Sequence, residues 1–247
     1  MNESSYPSCL ICGSGVLWSE DRELCRCQSC GVIRTRYDYN PRLYRTTYAK
    51  NYIEYAKTDV NTPLNLFRLG LVSRWLKESQ VIMDIGCCVG EFLRFAEEYY
   101  QCFGFEPNPE AALLARKRCK SKIFGSFSKT FLKKIPEAHC ITMFDVVEHL
   151  ENPITAVSDL ITNHLLPGGV LVITTPNVEV ASNSDSLRTW KHWKPQEHLW
   201  LHTEYSLTKL LDKVNLDVVH VGREESDIRP GNPEGDIITI VGRKPHA

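Results

Sequence analysis

The sequence lacks a strong charge of either sign, a long apolar run and, over its last 107 residues, any cysteine. Its 29 basic and 30 acidic side chains give no electrostatic footprint for a nucleic-acid or membrane partner. No apolar run approaches the ~20 residues that span a bilayer. Residues 1–5 have neither a basic start nor an apolar core, so we expect no secretory signal and a cytoplasmic location.

What remains is typical of a folded protein. With 43% hydrophobic and 24% charged residues, disorder is disfavoured. A chain of 247 residues suits one domain of ordinary size with a small appendage.

Five of the ten cysteines fall within the first 30 residues, and four of them form two matching C-x-x-C-G knuckles at residues 9–13 and 27–31. A two-residue gap lets both thiolates of a tight turn face one ion. The fourteen residues from Gly13 to Arg26, between the second and third of these four cysteines, leave room for a short hairpin. We therefore predict that residues 1–36 form a zinc ribbon with one structural Zn²⁺. The expected ligands are Cys9, Cys12, Cys27 and Cys30.

Cys25 is a competing ligand beside Cys27, and the sequence leaves its role open, although Cys27 completes the better spacing. Residues 1–36 carry four basic and four acidic side chains, a balance that argues against a nucleic-acid-binding ribbon.

Residues 37–62 are rich in tyrosine and are predicted to form a helical connector or lid. Four tyrosines recur at spacings of four, four and three, which is one face of a helix. This face either packs the ribbon onto the main domain or covers a substrate pocket. The residues are Tyr44, Tyr48, Tyr52 and Tyr55.

From residue 63 onward the pattern predicts a third region, 63–247, in which strands and helices alternate. Predicted strands at 81–85, 101–106, 121–124, 139–145 and 169–174 alternate with helices at 91–100, 111–119 and 153–165. Such alternation predicts a parallel sheet covered on both faces, with ligands beyond the carboxyl ends of its strands. After a helix at 206–214, strands at 216–221 and 237–241 should pair antiparallel, with no helix between them.

A glycine loop at residues 84–90 follows the first of these strands and leads directly into a helix. Twenty residues after Gly86, Glu106 ends the next strand, where a carboxylate can accept both hydroxyls of a ribose. Cys88 and Glu91 occupy positions where a dinucleotide fingerprint needs glycine. An acidic residue over the loop suits a cationic cofactor better than a pyrophosphate.

The loop resembles the D-x-G-C-G-x-G motif of class I S-adenosylmethionine-dependent methyltransferases. Residues 104–108, 144–150 and 166–172 resemble three further motifs of that family in order and spacing. Some members, including sugar C-methyltransferases, carry an N-terminal cysteine ribbon, which residues 1–36 also resemble. The resemblance implies an α/β, Rossmann-like, mostly parallel seven-stranded sheet with an antiparallel C-terminal strand. It also implies S-adenosylmethionine as cofactor.

By this resemblance, Glu106 would bind the ribose, and Phe105 or Pro107 would pack on the adenine. Ser126 stands where many members have an aspartate that recognises the adenine amino group. Cys88 occupies a glycine position, and its effect on the loop is left open. The expected cofactor residues are Asp84, Gly86, Cys88, Gly90, Phe105, Glu106, Pro107, Ser126 and Asp145.

The methyl acceptor should lie near residues 181–205, which hold three histidines and three tryptophans between positions 190 and 202. Glu197 and His198 resemble a pair that sugar methyltransferases place over the acceptor. We therefore predict His198 as general base, with Glu197 and His192 beside it. The alternative is a structural histidine that fixes this loop to the following helix.

A second group, Asp145, Glu148 and His149, resembles the E-x-x-E-H set of metal-dependent ubiquinone-biosynthesis and small-RNA methyltransferases. In other family members without a metal, such a Glu-His pair braces the loop, and the sequence leaves both interpretations open.

The predicted function is methyl transfer to a small metabolite, a sugar or another biosynthetic intermediate. The alternatives are an RNA- or protein-directed methyltransferase that docks through the ribbon, and a non-catalytic partner protein. The sequence does not indicate an oligomeric state.

Overall fold

The computed structural model describes residues 8–14, 16–18, 23–43, 50, 53–54, 61–125, 135–181, 184–229 and 235–246. The predicted tyrosine face and Ser126 lie outside the described residues. No helix within those ranges is both long and apolar enough to cross a bilayer.

A small antiparallel sheet carries the two cysteine knuckles. Strands β1 (Val16–Trp18) and β2 (Leu24–Cys27) form the hairpin expected between them, and β3 (Ile33–Thr35) pairs with β2. The fourth strand, β9 (Trp200–Leu201), comes from the predicted acceptor segment and pairs with β3. The ribbon therefore shares its sheet with a segment far along the chain.

The main sheet has seven strands in the order β10-β11-β8-β7-β4-β5-β6. Six of these strands run in the same direction, and β11 runs antiparallel to both of its neighbours, β10 and β8. This confirms the predicted architecture, including the antiparallel C-terminal strand. The strands are β4 (Val81–Ile85), β5 (Gln101–Phe105), β6 (Lys122–Phe124), β7 (Ala138–Phe144), β8 (Leu165–Pro176), β10 (Asp217–Gly222) and β11 (Ile237–Arg243).

The central strand β4 shows why the sheet is covered on both faces. Its side chains alternate between two apolar cores: Met83 and Ile85 pack into one, and Ile82 packs into the other. All five residues are buried. Asp84 shares the face of Ile82 and is the one acidic group in the strand, which brings a carboxyl to the sheet's ligand-binding edge.

The predicted helices occur in the expected order with corrected bounds, and a further short helix at Ser184–Thr189 was not predicted. Asn152 caps the helix that follows it, accepting from the Thr155 N–H, as expected. The helix after the glycine loop ends at Ala96 rather than residue 100. The helices are α1 (Thr62–Ser73), α2 (Glu91–Ala96), α3 (Pro109–Arg118), α4 (Pro153–His164), α5 (Ser184–Thr189), α6 (Glu204–Lys213) and α7 (Glu225–Ile228).

The prediction that no helix separates the last two strands is wrong, because α7 lies between β10 and β11. Four residues are too few to show helical periodicity. Tertiary contacts stabilise the turn instead: Glu225 pairs with Arg68 of α1, and the Ser226 hydroxyl accepts from the Ile237 N–H at 2.9 Å.

Candidate functional site

The glycine loop between β4 and α2 requires glycine at both ends. Gly86 has φ +72°, and a Cβ there would lie 2.6 Å from Val146 Cγ2. Gly90 has φ +78°, and a Cβ there would collide with Cys119 Sγ. Both residues therefore have a backbone conformation that disfavours a side chain, and both lie too close to a neighbouring side chain to leave room for a Cβ. The two glycines therefore let the loop pack closely against Val146 and Cys119 at the carboxyl end of β4.

Cys88 adopts φ +49°, the left-handed region that favours the glycine usual at this position. Its side chain packs against an apolar cluster that includes Ile53, Val89 and Ala111. The Cys88 side chain therefore lies in an apolar environment. A hydrogen bond fixes the backbone of the loop at this residue: the Cys88 N–H donates to Glu106 Oε2 at 2.9 Å.

Glu106 is fixed at the end of β5 by two backbone donors. Besides the Cys88 N–H, the Asn108 N–H donates to Oε1 at 2.7 Å. Burial raises the pKa of Glu106, while these two N–H groups lower it. Each carboxylate oxygen keeps a second lone pair, so the group can also accept the hydroxyls of a ribose.

Asp84 is buried, and its Oδ1 accepts from the Thr142 hydroxyl at 2.7 Å. Burial raises the pKa of Asp84 to about 7, against the lowering effects of Thr142 and Arg68. A cationic ligand beside this carboxyl would favour its charged form.

The two expected adenine contacts differ in position. Phe105 is buried and stacks on Phe124, with ring centroids 5.3 Å apart, so its ring belongs to the core. Pro107 is exposed just beyond β5 and is the one that a ligand can reach.

Asp145 lies in a group of charges that the sequence reasoning missed. Its Oδ2 accepts from Arg68 Nη2 at 3.1 Å and from Arg229 Nη2 at 2.8 Å. Both arginines also contact Glu225. Burial alone would raise the pKa of Asp145, but Arg229 and Arg68 hold it well below its usual range. The carboxylate expected beside the cofactor is thus paired with two guanidinium groups.

One sequence signal could have revealed this group. Arg68 lies four residues after Leu64 and three before Leu71, inside the apolar stripe of α1. A charge on the buried face of a helix needs a partner. Arg68 also packs over the Phe144 ring, with its Cζ 4.3 Å from the ring centroid.

A carboxyl and two imidazoles meet beyond the end of β7. Glu148 and His149 lie in the short turn that follows this strand, and His198 comes from the loop before β9. One possible ligand atom from each residue lies within 4.8 Å of the others. The two imidazole rings meet edge to face, 4.8 Å between centroids. We call these three residues the Glu–His–His cluster.

Backbone carbonyls orient both imidazoles. His149 Nδ1 lies 2.9 Å from the Glu197 carbonyl oxygen, and His198 Nδ1 lies 2.8 Å from that of His192. A carbonyl only accepts, so Nδ1 carries the proton in each ring and the lone pair is on Nε2. Glu197 and His192 therefore contact the cluster through their main chains.

The side chain of His192 has a separate partner. Its Nε2 lies 3.1 Å from Asp236 Oδ2, while Trp190 Nε1 donates to Asp236 Oδ1 at 2.6 Å. Asp236 is buried immediately before β11. These contacts attach the aromatic segment to the main sheet.

Burial sets the protonation of the cluster. It lowers the pKa of His198 well below 6.5, with help from His149, and lowers that of His149 to about 4. Burial and the nearby Asp145 raise the pKa of Glu148 to about 8. All three groups are therefore mostly uncharged at neutral pH. Among the described residues, neither carboxyl oxygen of Glu148 has a hydrogen-bond partner.

The four knuckle cysteines converge as the spacing predicted. Cys9 and Cys30 Sγ atoms lie 3.8 Å apart, and those of Cys12 and Cys27 lie 3.5 Å apart. Zn–S bonds of ~2.3 Å in a tetrahedron place sulfur atoms roughly 3.8 Å apart, so the group fits one zinc ion. Cys25 lies outside this group, and its thiol donates to the Arg34 carbonyl at 3.5 Å.

Comparisons with known proteins agree with this geometry. A family profile described as a methyltransferase domain matches residues 54–221. No curated protein sequence matches the chain. The three solved structures described next are 17–20% identical to the chain and support its fold.

Three of these structures illustrate the similarity. An S-adenosylmethionine-dependent methyltransferase from Archaeoglobus fulgidus has 17% identity and TM-score 0.61, over 80% of this chain and 100% of that one. A possible histamine N-methyltransferase from Thermotoga maritima has 20% identity and TM-score 0.58, over 80% and 98%. The N-methyltransferase NodS from Bradyrhizobium japonicum WM9, bound to S-adenosylhomocysteine, has 20% identity and TM-score 0.54, over 75% and 87%.

The profile covers more than half of the chain, and the strand order and glycine loop agree with it. The chain therefore belongs to the methyltransferase domain family.

Proposed function

We propose that the chain transfers the methyl group of S-adenosylmethionine to a small-molecule acceptor, a sugar or another biosynthetic intermediate. The observation that carries this proposal is the oriented His198 imidazole in the Glu–His–His cluster, beyond the same edge of the sheet as the glycine loop. The T. maritima structure, described as a possible histamine N-methyltransferase, is consistent with a small acceptor on this fold. The near-zero net charge disfavours an RNA acceptor.

The cofactor would lie along the ends of β4 and β5. The loop backbone from Gly86 to Gly90 would approach its methionine end, near Asp84, and Glu106 would accept the ribose hydroxyls. Pro107 offers an apolar surface to the adenine. Ser126 would contribute near the adenine amino group, and Asp145 would border the methionine side through its charged partners. When bound, the cofactor supplies a methyl group on a positively charged sulfur.

His198 is the proposed general base. An oxygen or carbon acceptor must lose a proton as it takes the methyl group, and His198 Nε2 has the lone pair to accept it. The low pKa of His198 keeps the ring neutral and ready at pH 7. His149 and Glu148 would form the adjoining wall of the acceptor site, which excludes water from the transfer.

Glu197 and His192 would act as positioning residues. Their carbonyl oxygens fix which nitrogen of each imidazole is protonated, and the contact between His192 and Asp236 holds the loop. We also propose that Cys9, Cys12, Cys27 and Cys30 bind one structural Zn²⁺.

The test uses S-adenosylmethionine labelled in its methyl group and a small-metabolite extract. We expect label in the small-molecule fraction, and His198→Asn should remove most of it, by about 10²–10⁴-fold. Binding of S-adenosylhomocysteine should be unchanged in this variant. His220→Asn, on β10 and outside the cluster, is the matched control.

Two outcomes would count against the proposal. Label appearing only when protein or RNA is added would identify a macromolecular acceptor. Full turnover by a folded His198→Asn protein would remove the general base.

A further inference from the structure

The Glu–His–His cluster has the composition of a metal site. It combines one carboxyl group with two imidazoles whose candidate ligand atoms lie within 4.8 Å of one another. Metal–ligand bonds of about 2.0–2.2 Å place ligand atoms roughly 3.4 Å apart around a tetrahedral ion, so the three side chains would move together by up to about 1.4 Å on binding. Its donors are nitrogen and oxygen, so it differs in kind from the four-thiolate site of the ribbon.

Glu148 supplies an independent sign of a missing partner. Glu148 is 1% exposed, and no donor among the described residues gives either carboxyl oxygen a hydrogen bond of good geometry, although the Thr175 hydroxyl and the Glu148 N–H lie near enough to lower its pKa. Native proteins seldom leave a buried carboxyl in this state, because desolvation is then uncompensated. A cation between Glu148 and the two imidazoles would satisfy it.

The histidines have the outer contacts that metal-binding imidazoles use. A ligating histidine usually donates its other ring N–H to a carbonyl or carboxylate, which fixes the tautomer and aims the lone pair. His149 and His198 each meet this condition through Nδ1, at 2.9 and 2.8 Å from backbone carbonyls. Both lone pairs are therefore on Nε2.

Asp145 would not be a fourth ligand. It precedes Glu148 by one short turn, but its carboxylate is paired with Arg68 and Arg229. Three protein ligands would leave positions open on the ion.

We propose that Glu148, His149 and His198 form a second metal site, which binds one divalent first-row transition metal such as Zn²⁺, Fe²⁺ or Co²⁺. Two imidazoles and one carboxylate favour such ions over Mg²⁺. The metal site itself does not depend on the proposed function. Its use does rest on that function: the open positions would hold an acceptor oxygen and lower the pKa of its hydroxyl. With an ion bound, the Nε2 lone pair of His198 would be taken by the metal, and the acidified hydroxyl would release its proton to solvent; His198 would act as general base only in the protein without this ion.

The test titrates Co²⁺ into the full-length protein after its four-thiolate site has been loaded with zinc. We expect one further ion per chain by calorimetry, without the thiolate-to-cobalt absorption that a cysteine site would give. Glu148→Gln and His198→Ala should each weaken this binding about 100-fold or more. His220→Ala and Glu110→Gln, both outside the cluster, should leave it unchanged.

Crystals of the unmodified protein soaked in Co²⁺ provide a measurement that does not depend on variant folding. We expect an anomalous cobalt peak among Glu148, His149 and His198. A second cobalt peak at the zinc ribbon is expected only if cobalt displaces the zinc there. Absence of both the peak and the extra calorimetric ion would overturn the proposal. S-adenosylhomocysteine binding and methyl transfer, measured on the same samples, show whether the proposed function survives that result.

Discussion

The Thr203 hydroxyl donates a 2.7 Å hydrogen bond to the carbonyl of Cys30, one of the four candidate zinc ligands. The same hydroxyl oxygen accepts from the Ser206 N–H at 3.0 Å and caps α6. Thr203 follows β9, the strand that completes the ribbon sheet, by two residues. The knuckle and the His198 segment are therefore joined by a backbone ladder and a buried side-chain contact.

Thr203→Val should lower the free energy of unfolding by about 1–3 kcal/mol, because it removes a helix cap and leaves the Cys30 carbonyl without this donor. Urea unfolding measures the change. Thr208→Val is the matched control on the same helix, since the Thr208 hydroxyl donates to the local Glu204 carbonyl at 3.2 Å. Equal effects of the two substitutions would contradict a special role for the Thr203 contact.

Zinc removal should loosen the acceptor segment as well as the ribbon. β9 pairs with β3, and the Thr35 hydroxyl donates to the Pro195 carbonyl at 3.0 Å, so unfolding of the ribbon removes these restraints. After chelation, hydrogen exchange should become faster in a peptide spanning residues 195–203. Peptides from β4 should keep their protection. Unchanged exchange at 195–203 would show that the segment is held without the ribbon.

Glu106→Gln should weaken S-adenosylhomocysteine binding by about 1–3 kcal/mol, the scale of hydrogen bonds to a charged group. An amide can accept through only one of its terminal atoms, whereas the carboxylate accepts through both. Calorimetry measures the affinity, with the exposed Glu110→Gln on α3 as control. An affinity equal to that of the control would remove Glu106 from the ribose site.

Asp84 should make stability depend on pH. Its pKa is raised from 3.8 to about 7, chiefly by burial, with Glu106 raising it further and Thr142 and Arg68 opposing. Between these pH values the folded state holds a proton that the unfolded state has lost, so stability falls as pH rises.

From pH 5 to pH 8, the free energy of unfolding should therefore fall roughly 2 kcal/mol more in the unmodified protein than in Asp84→Asn. Urea unfolding at several pH values gives both curves. Parallel curves would mean that the folded-state pKa of Asp84 is close to its ordinary value.

Much of the architecture follows from local sequence patterns. Buried runs such as residues 81–85 alternate with amphipathic helices, and this alternation predicts the parallel sheet and its ligand-binding edge. The knuckle spacing predicts which four thiols converge, because the two cysteines of each knuckle lie close together in the chain.

Contacts between distant segments could not be predicted in the same way. β9 has only two residues, and its pairing with β3 leaves no periodic pattern. Arg68, Asp145 and Glu225 lie on three separate elements, so only the folded chain brings their charges together. The neighbours of His198 are likewise set by tertiary packing: the sequence indicated its chemistry, and the fold supplied Glu148 and His149.

A crystal structure with S-adenosylhomocysteine tests the central claim most directly. We predict that its ribose hydroxyls lie within hydrogen-bond distance of Glu106 and that its sulfur faces the Glu–His–His cluster across an enclosed acceptor space. Nucleoside density away from Glu106, or a sulfur directed away from His198, would contradict the proposed methyl-transfer site.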